Sequence, residues 1–359
     1  MEKSKHRFIN HNSFDKFPVE SDSIDLVMTS PPYPMIEMWD SIYTAFDPVI
    51  GKLLDDNEGL KAFEKMHVLL DRTWQECQRV TKEGGFVCIN IGDATRTLDG
   101  RFRLYNNHGR IIEAFDKMGF DVLPYIIWRK PTNSPTKFMG SGMLPAGAYV
   151  TLEHEHLLIF RKGRKRSFNK EESALRRKSA YFWEERNQWF CDQWEVLGTR
   201  QELHGSKLRN RSAAYPIEIP VRILLMYSQL GDTVLDPFSG IGTTAMAALT
   251  YGRNSISLEY DEALIDATLK SIKKRGMKEM FNELIQERLR KHQLFVDSKD
   301  ELFFTYLNKS LQVPVKTTQE KELEIYPLQS IGRHDNSLSI TYRKFKKTEL
   351  MDIRNHSSN

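Results

Sequence analysis

Apolar residues along this chain fall into short blocks whose spacing alternates between the two periods of regular structure. Residues 24–28, 122–128 and 156–160 are compact runs rich in Val, Ile, Leu and Phe, and they read as strands. Residues 109–119 place Ile111, Ile112, Phe115 and Met118 on one helical face and feed the strand at 122–128. The stretch 233–260 parses as strand, glycine turn, helix, turn, strand. Val234 and Leu235 start it, Thr243 or Thr244 caps the helix, Gly252 ends that helix in a left-handed position, and residues 256–258 form the second strand with Glu259 at its tip. Such a unit predicts an open sheet of parallel strands, in which ligands bind beyond the C-terminal tips. Past residue 300 the pattern changes. Residues 303–311 suit a short helix or strand, while 323–327 and 338–342 alternate as a hairpin around a turn at 332–336.

Two loops at strand ends carry candidate chemistry. The strand at 24–28 runs through Thr29 into Ser30, Pro31, Pro32 and Tyr33. Two prolines supply no backbone donor and hold the turn extended, so the strand stops there. The turn displays a hydroxyl, unpaired carbonyls and an aromatic face, which suit a flat base carrying an exocyclic amine. An isolated Pro-Pro-Tyr is more often a plain strand-ending loop. The second loop changes that balance: Gly240 and Gly242 let backbone approach a ligand closely, and Glu259 on the neighbouring strand is placed to accept hydrogen bonds from ribose hydroxyls. Glycine turns also serve packing between strand and helix, but strand, turn, helix and acid together point to an adenosine cofactor.

Together these residues resemble the amino-methyltransferases of DNA, which use S-adenosyl-L-methionine. In that family a Phe-x-Gly-x-Gly turn, here residues 238–242, holds the cofactor, and a Ser/Asp/Asn-Pro-Pro-Tyr/Phe tetrad, here residues 30–33, holds the base. The tetrad precedes the glycine turn, which resembles the permuted β group. The resemblance implies a Rossmann-like class I methyltransferase fold, a mostly parallel twisted α/β sheet with helices on both faces. It implies a catalytic set of Ser30, Pro31, Pro32 and Tyr33. It further implies a cofactor set of Thr29, Tyr215, Pro216, Asp236, Phe238, Ser239, Gly240, Gly242, Thr243 and Glu259. Asp236 and Ser239 have an alternative reading as strand-end cap and turn former. Residues 76–80 and 84–93 look like the family's helix, Gly-Gly turn and next central strand, and 215–220 resemble the motif that cradles the methionine end of the cofactor. Asn12 stands where the family often has Asp. The loop at 35–39, with Met38 and Trp39, reads as either a flap over the site or ordinary packing.

Charge adds a location rather than a class. The net charge is +4, from 52 basic and 48 acidic residues. Between Arg161 and Arg211 there are 14 Lys/Arg against seven Asp/Glu, so the excess is local. Tyr181, Phe182, Trp183, Trp189, Phe190 and Trp194 interleave with it; Trp189 and Trp194 are expected to be core. A charged stretch is by itself a solvated surface. Because the segment lies where the β group keeps its target-recognition region, the resemblance implies phosphate contacts from Arg164, Lys165, Arg166, Arg176, Arg177, Lys178, Arg209 and Arg211. Residues 130–145 form a second candidate DNA-contacting loop.

Cys77, Cys88 and Cys191 lack disulfide or zinc spacing, and His154 and His156 share a strand face without a recognisable carboxylate partner, so no metal site is expected. No apolar run is long enough to span a membrane and no charged-then-apolar leader opens the chain, which predicts a cytoplasmic protein.

The expected organisation is a catalytic half at 1–162, a target-recognition region at 163–211, a cofactor half at 212–300 and an extension at 301–359. The expected partner is double-stranded DNA, with a companion restriction endonuclease acting on the same site. In the family a leading Ser is typical of cytosine-N4 enzymes and Asp or Asn of adenine-N6 enzymes, so Ser30 implies cytosine N4, with adenine N6 as the alternative. A non-catalytic DNA-binding subunit and an RNA methyltransferase are rival readings.

Overall fold

The run 24–29 is buried at every residue, because it sits in the middle of a sheet covered on both faces. The computed structural model describes residues 2–130, 139–140, 144–197 and 215–345. In chain order the strands are β1 (Lys3–Asn10), β2 (Ile24–Thr29), β3 (Thr81–Ile91), β4 (Ala94–Leu98), β5 (Arg101–Tyr105), β6 (Phe120–Arg129), β7 (Met139–Gly140) and β8 (Ala148–Tyr149). They continue with β9 (His154–Lys162), β10 (Gln193–Glu195), β11 (Thr233–Asp236), β12 (Asn254–Glu259), β13 (Tyr306–Leu307), β14 (Pro314–Val315), β15 (Leu328–His334) and β16 (Ser337–Tyr342). Ten of them make one sheet in the order β10-β6-β9-β3-β2-β11-β12-β1-β16-β15, and β4–β5, β7–β8 and β13–β14 are separate two-stranded ribbons.

The five central strands, β3, β2, β11, β12 and β1, are mutually parallel. β9 runs antiparallel between β3 and β6. The expected mostly parallel α/β architecture is therefore present, and all five central strands end on one edge. Strand order reverses direction at the β2–β11 contact, where Val27 pairs with Leu235. That is the position at which an open α/β sheet leaves a crevice between diverging connections.

Helices α1 (Asp40–Phe46), α2 (Pro48–Asp55), α3 (Gly59–Val80) and α4 (Asn107–Lys117) cover one face. They bury Tyr43, Ile50, Met66, Trp74 and Phe115 in the same core as Val27, Val87 and Leu235. The opposite face carries α5 (Lys170–Lys178), α6 (Trp183–Trp189), α7 (Glu218–Tyr227), α8 (Thr243–Thr250), α9 (Glu262–Ile272) and α10 (Met277–Asp297). There Trp189, Trp194, Ile223, Ala248, Leu269 and Phe281 share a core with Leu26, Met28 and Val234. Leu26 and Met28 thus point to one layer and Val27 to the other, as strand alternation requires. No helix among the described residues is long and apolar enough to cross a membrane.

Two local expectations need correction. The N-cap of α8 is Gly242 in the left-handed conformation, not Thr243 or Thr244. Thr243 opens the helix, and the Thr244 hydroxyl turns instead toward Tyr215 and the Met28 carbonyl. The C-terminal hairpin is β15–β16, which extends the main sheet at the β1 edge. Its first strand begins five positions later than the alternation at 323–327 suggested, because that stretch ends in Pro327, which lacks a ladder donor, and packs Leu323 and Ile325 into the core.

Candidate active site

The two loops singled out in the sequence emerge side by side from the adjacent tips of β2 and β11. Thr29, the last residue of β2, donates from its hydroxyl to Asp236 Oδ1 at 2.7 Å, so the proline and glycine turns are tied at their roots. Asp236 Oδ1 also accepts from the Phe238 amide at 3.1 Å. On the other side Tyr215 Oη lies 3.5 Å from Asp236 Oδ2 and 2.5 Å from Thr244 Oγ1. Burial pushes the Asp236 carboxyl up to about 6, against the opposing effect of its hydrogen-bond donors. Burial and the neighbouring Asp236 likewise hold the Tyr215 phenol well above its ordinary range.

The turn after β2 is rigidly supported. Pro31 and Pro32 are buried, and Tyr43 on α1 donates to the Pro32 carbonyl at 2.6 Å. Tyr33 donates its hydroxyl to Glu155 Oε2 at 2.9 Å, and Ser30 Oγ lies 3.1 Å from Tyr33 Oη. Asn90 Nδ2 donates to Tyr33 Oη at 2.8 Å and to Glu155 Oε2 at 2.6 Å. Lys130 pairs with the other Glu155 oxygen. A Cβ at Gly92 would lie 3.0 Å from Tyr33 Cε2 and 3.3 Å from Glu155 Cγ, so the glycine leaves these two side chains uncrowded. Burial, then the Glu155 charge, keeps the Tyr33 phenol protonated well above the usual range.

Asn90 and Glu155 went unrecognised in the sequence. Asn90 left one trace there: it is the lone amide in the otherwise apolar run at 86–91. Glu155, between two histidines at the start of β9, left none, because only tertiary pairing of β9 with β3 brings it to Tyr33.

The two glycines of the second turn have different reasons to exist. Gly240, at φ +52°, would direct a Cβ into space with no atom within 4 Å. Gly242, at φ +77°, would drive one to 2.8 Å from Thr268 Cγ2 and 3.3 Å from Phe8, so glycine there is required by packing as well as by the backbone conformation. Glu259 Oε2 accepts from the Gly240 amide at 2.8 Å and Oε1 from the Asp261 amide at 3.0 Å, which ties the acid to the turn. Ser239 is buried with no partner for its hydroxyl, and Phe238 is half-buried with its ring against Phe14. Tyr215, Asp236, Phe238, Ser239, Gly240, Thr243 and Glu259 thus cluster at one edge. Pro216 follows Tyr215 and is buried. Asn12 is engaged locally, with Asp15 and the Phe14 amide.

The basic segment lies elsewhere. Arg166 pairs with Asp232 at 3.0 Å and with Asp25 at 3.4 Å, at the N-terminal ends of β11 and β2. Asp25 is five residues from Ser30 along β2, about 16 Å at strand rise. Arg164 adjoins Glu83, whose carboxylate its amide contacts at 2.7 Å, before β3 has crossed the sheet. Arg177 and Lys178 pair with Glu322 and Glu324, and Arg176 lies over the Phe168 ring. The structure therefore does not bring Arg164, Lys165, Arg166, Arg176, Arg177 or Lys178 to the edge that holds Ser30. Arg209 and Arg211, and most of the loop at 130–145, lie outside the described residues.

A carboxylate does meet His156, from a sequence distance that hid it. Asp93 Oδ2 is 2.8 Å from His108 Nδ1 and 3.9 Å from His156 Nε2, so the three residues form a potential ligand group. The two imidazoles are stacked, with centroids 3.9 Å apart and planes 19° apart, and rings stacked face to face aim their nitrogens alongside one another. The group reads as a brace between β3, α4 and β9.

A family model described as DNA methylase, for the N6 and N4 type, matches residues 24–270, a span containing both turns. A type II methyltransferase of Methanothermobacter thermautotrophicus, M.MthZI, is 46% identical over 358 residues, covering 97% of this chain and 94% of the relative. M.MjaI of Methanocaldococcus jannaschii, also a type II methyltransferase, is 48% identical over 272 residues, 73% of this chain and 89% of that protein. Among solved structures, a DNA modification methylase of Thermus thermophilus complexed with S-adenosyl-L-methionine superposes with a TM-score of 0.56 at 27% identity, covering 77% of this chain and 93% of that one. With that span matched and those identities, the chain belongs to the N6/N4 DNA methylase family.

Proposed function

We propose that this chain is a site-specific DNA methyltransferase that transfers a methyl group to the exocyclic N4 amine of cytosine in duplex DNA, as the modification enzyme of a restriction-modification system. The observation that carries the reading is Ser30 at the tip of β2, joined through Thr29 and Asp236 to the glycine turn at the tip of β11. The methyl donor is S-adenosyl-L-methionine, which when bound supplies an electrophilic methyl on its sulfonium. The residues present fit it: the space before Gly240 is open, the buried Ser239 hydroxyl lacks a partner, and Glu259 and Asp236 offer carboxylates.

An exocyclic amine is a poor nucleophile because its lone pair is delocalised into the ring. The hydrogen-bond polarity at the turn addresses this. An ionised Glu155 can only accept, so Tyr33 donates to it; Tyr33 Oη then accepts from Asn90 and Ser30. Ser30 Oγ, its proton directed at Tyr33, keeps lone pairs for an amine hydrogen, and the Pro31 carbonyl can take the other. Holding both hydrogens makes the nitrogen more sp3-like and frees its lone pair. No covalent intermediate is needed, which agrees with the absence of a Pro-Cys dipeptide, the nucleophile motif of carbon-5 enzymes. Tyr33, its hydroxyl anchored, offers a fixed ring face to a flipped base. The permuted order, with residues 30–33 before 238–242, and the leading Ser30 support the cytosine-N4 β group.

The test separates binding from transfer. Ser30→Ala is expected to bind cofactor like the wild type and to lose methyl transfer by about 10²-fold or more; transfer at the wild-type rate would refute this role for the turn.

A further inference from the structure

Arg166 is held by Asp25 and Asp232 at the far edge of the sheet, which directs the search for a surface that grips DNA to the edge holding Ser30. β3 ends at Ile91, a side chain at Gly92 would face Tyr33 and Glu155, and the chain then leaves directly into the β4–β5 ribbon. Asp99 and Gly100 close this ribbon with φ of 48° and 69°, a two-residue turn between strands in register from Ala94–Tyr105 to Leu98–Arg101.

The ribbon is fastened rather than floppy. Arg96 makes a two-pronged pair with Asp40, the first residue of α1, at 2.9 and 2.8 Å. The Asp99 amide donates to Asn57 at 3.2 Å, and a side chain at Gly59 would collide with Tyr105 and Leu98, so the ribbon lies against the start of α3. Directly across from Arg96 is Arg103, and Arg101 is two residues away on the same face. Arg96 is neutralised by Asp40. Arg101 and Arg103 are exposed and have no carboxylate partner among the described residues; Arg103 sits 5.5 Å from the Tyr105 ring centroid. On the other face Phe102 stacks on the exposed Tyr149, centroids 4.5 Å apart and planes 27° apart.

We infer that the β4–β5 ribbon is a DNA-backbone clamp at the rim of the base pocket, with Arg101 and Arg103 neutralising phosphates of the duplex beside the flipped nucleotide. A duplex held open around one base needs cations along its backbone, and two guanidiniums without carboxylate partners among the described residues, on a braced ribbon that begins at Ala94, two residues after Gly92, supply them. This rests on the duplex DNA methyltransferase reading.

The test uses the full chain and an unmethylated duplex carrying the site that the wild type methylates. For Arg101→Gln/Arg103→Gln, the slope of log affinity against log salt should become shallower by about 1.8, from two lost phosphate contacts. The KM for duplex should rise, with kcat at saturating duplex and cofactor affinity unchanged. The charge-matched Lys273→Gln/Lys274→Gln variant, at the far end of α9, should leave the slope as in the wild type. An unchanged slope for the ribbon variant, or one lost equally in both variants, overturns the clamp while the methyltransferase reading stands. A ribbon variant defective on single strands or RNA but not on duplex also overturns it. A wild type that neither binds nor methylates duplex DNA overturns the reading beneath and the clamp with it.

Discussion

Replacing Asp236 by Asn separates what this carboxylate costs the fold from what it gives the site. Asp236 is 2% exposed and its carboxyl is pushed from 3.8 up to about 6, chiefly by burial. That displacement corresponds to about 3 kcal/mol. Below pH 3.8 the side chain is protonated whether folded or unfolded, and nothing is lost. Between there and about pH 6 the unfolded chain gives up its proton first, so stability falls as pH rises, and above about 6 the full penalty is present. Asn removes the charge and still accepts from Thr29 and the Phe238 amide, at a cost of about 1 kcal/mol for the altered contact with Tyr215. At pH 7.5 the variant should therefore be more stable by about 2 kcal/mol, about 3 °C in Tm for a chain of this size. The assay is calorimetric melting of both proteins from pH 4.5 to 8. The gap should open with rising pH and level off above about 7. Cofactor affinity should show the reverse benefit: the cationic donor favours ionised Asp236, so wild-type binding tightens as pH rises through about 6 while the Asn variant stays weak and flat. A Tm gap independent of pH would refute the reasoning.

The two turn glycines make a paired prediction, read by thermal melting and by titration with S-adenosyl-L-methionine. Gly240→Ala faces open space and should lower stability by only about 1–2 kcal/mol, the strain of its left-handed backbone, while weakening cofactor binding at least tenfold. Gly242→Ala adds a collision with Thr268 and should cost about 2–4 kcal/mol of stability.

What the sequence disclosed and what it hid divide along the range of the interactions. Residues 30–33 and 238–242 were readable because a double proline and a glycine turn act on their own backbone within a few positions. The helix at 109–119 was readable for the same reason, and it is found as α4, Asn107–Lys117. Glu155 was unreadable because its meaning is the 2.9 Å contact with a tyrosine 122 positions away. The charge of the 161–211 stretch could be counted, but counting cannot show that Arg166 is matched by Asp25 and Asp232 or that Arg177 and Lys178 are matched by Glu322 and Glu324. Gly240 and Gly242 looked alike in one dimension; only the atoms around them show that one faces open space and the other is closely packed against Thr268 and Phe8.

The central claim is that Ser30 and Tyr33 present a cytosine amine for methylation. The most direct measurement is to incubate the protein with duplex DNA and S-adenosyl-L-methionine carrying a labelled methyl group, digest the DNA to nucleosides and identify the labelled product by mass. The account predicts N4-methylcytosine as the labelled nucleoside; label found in N6-methyladenine alone would contradict it.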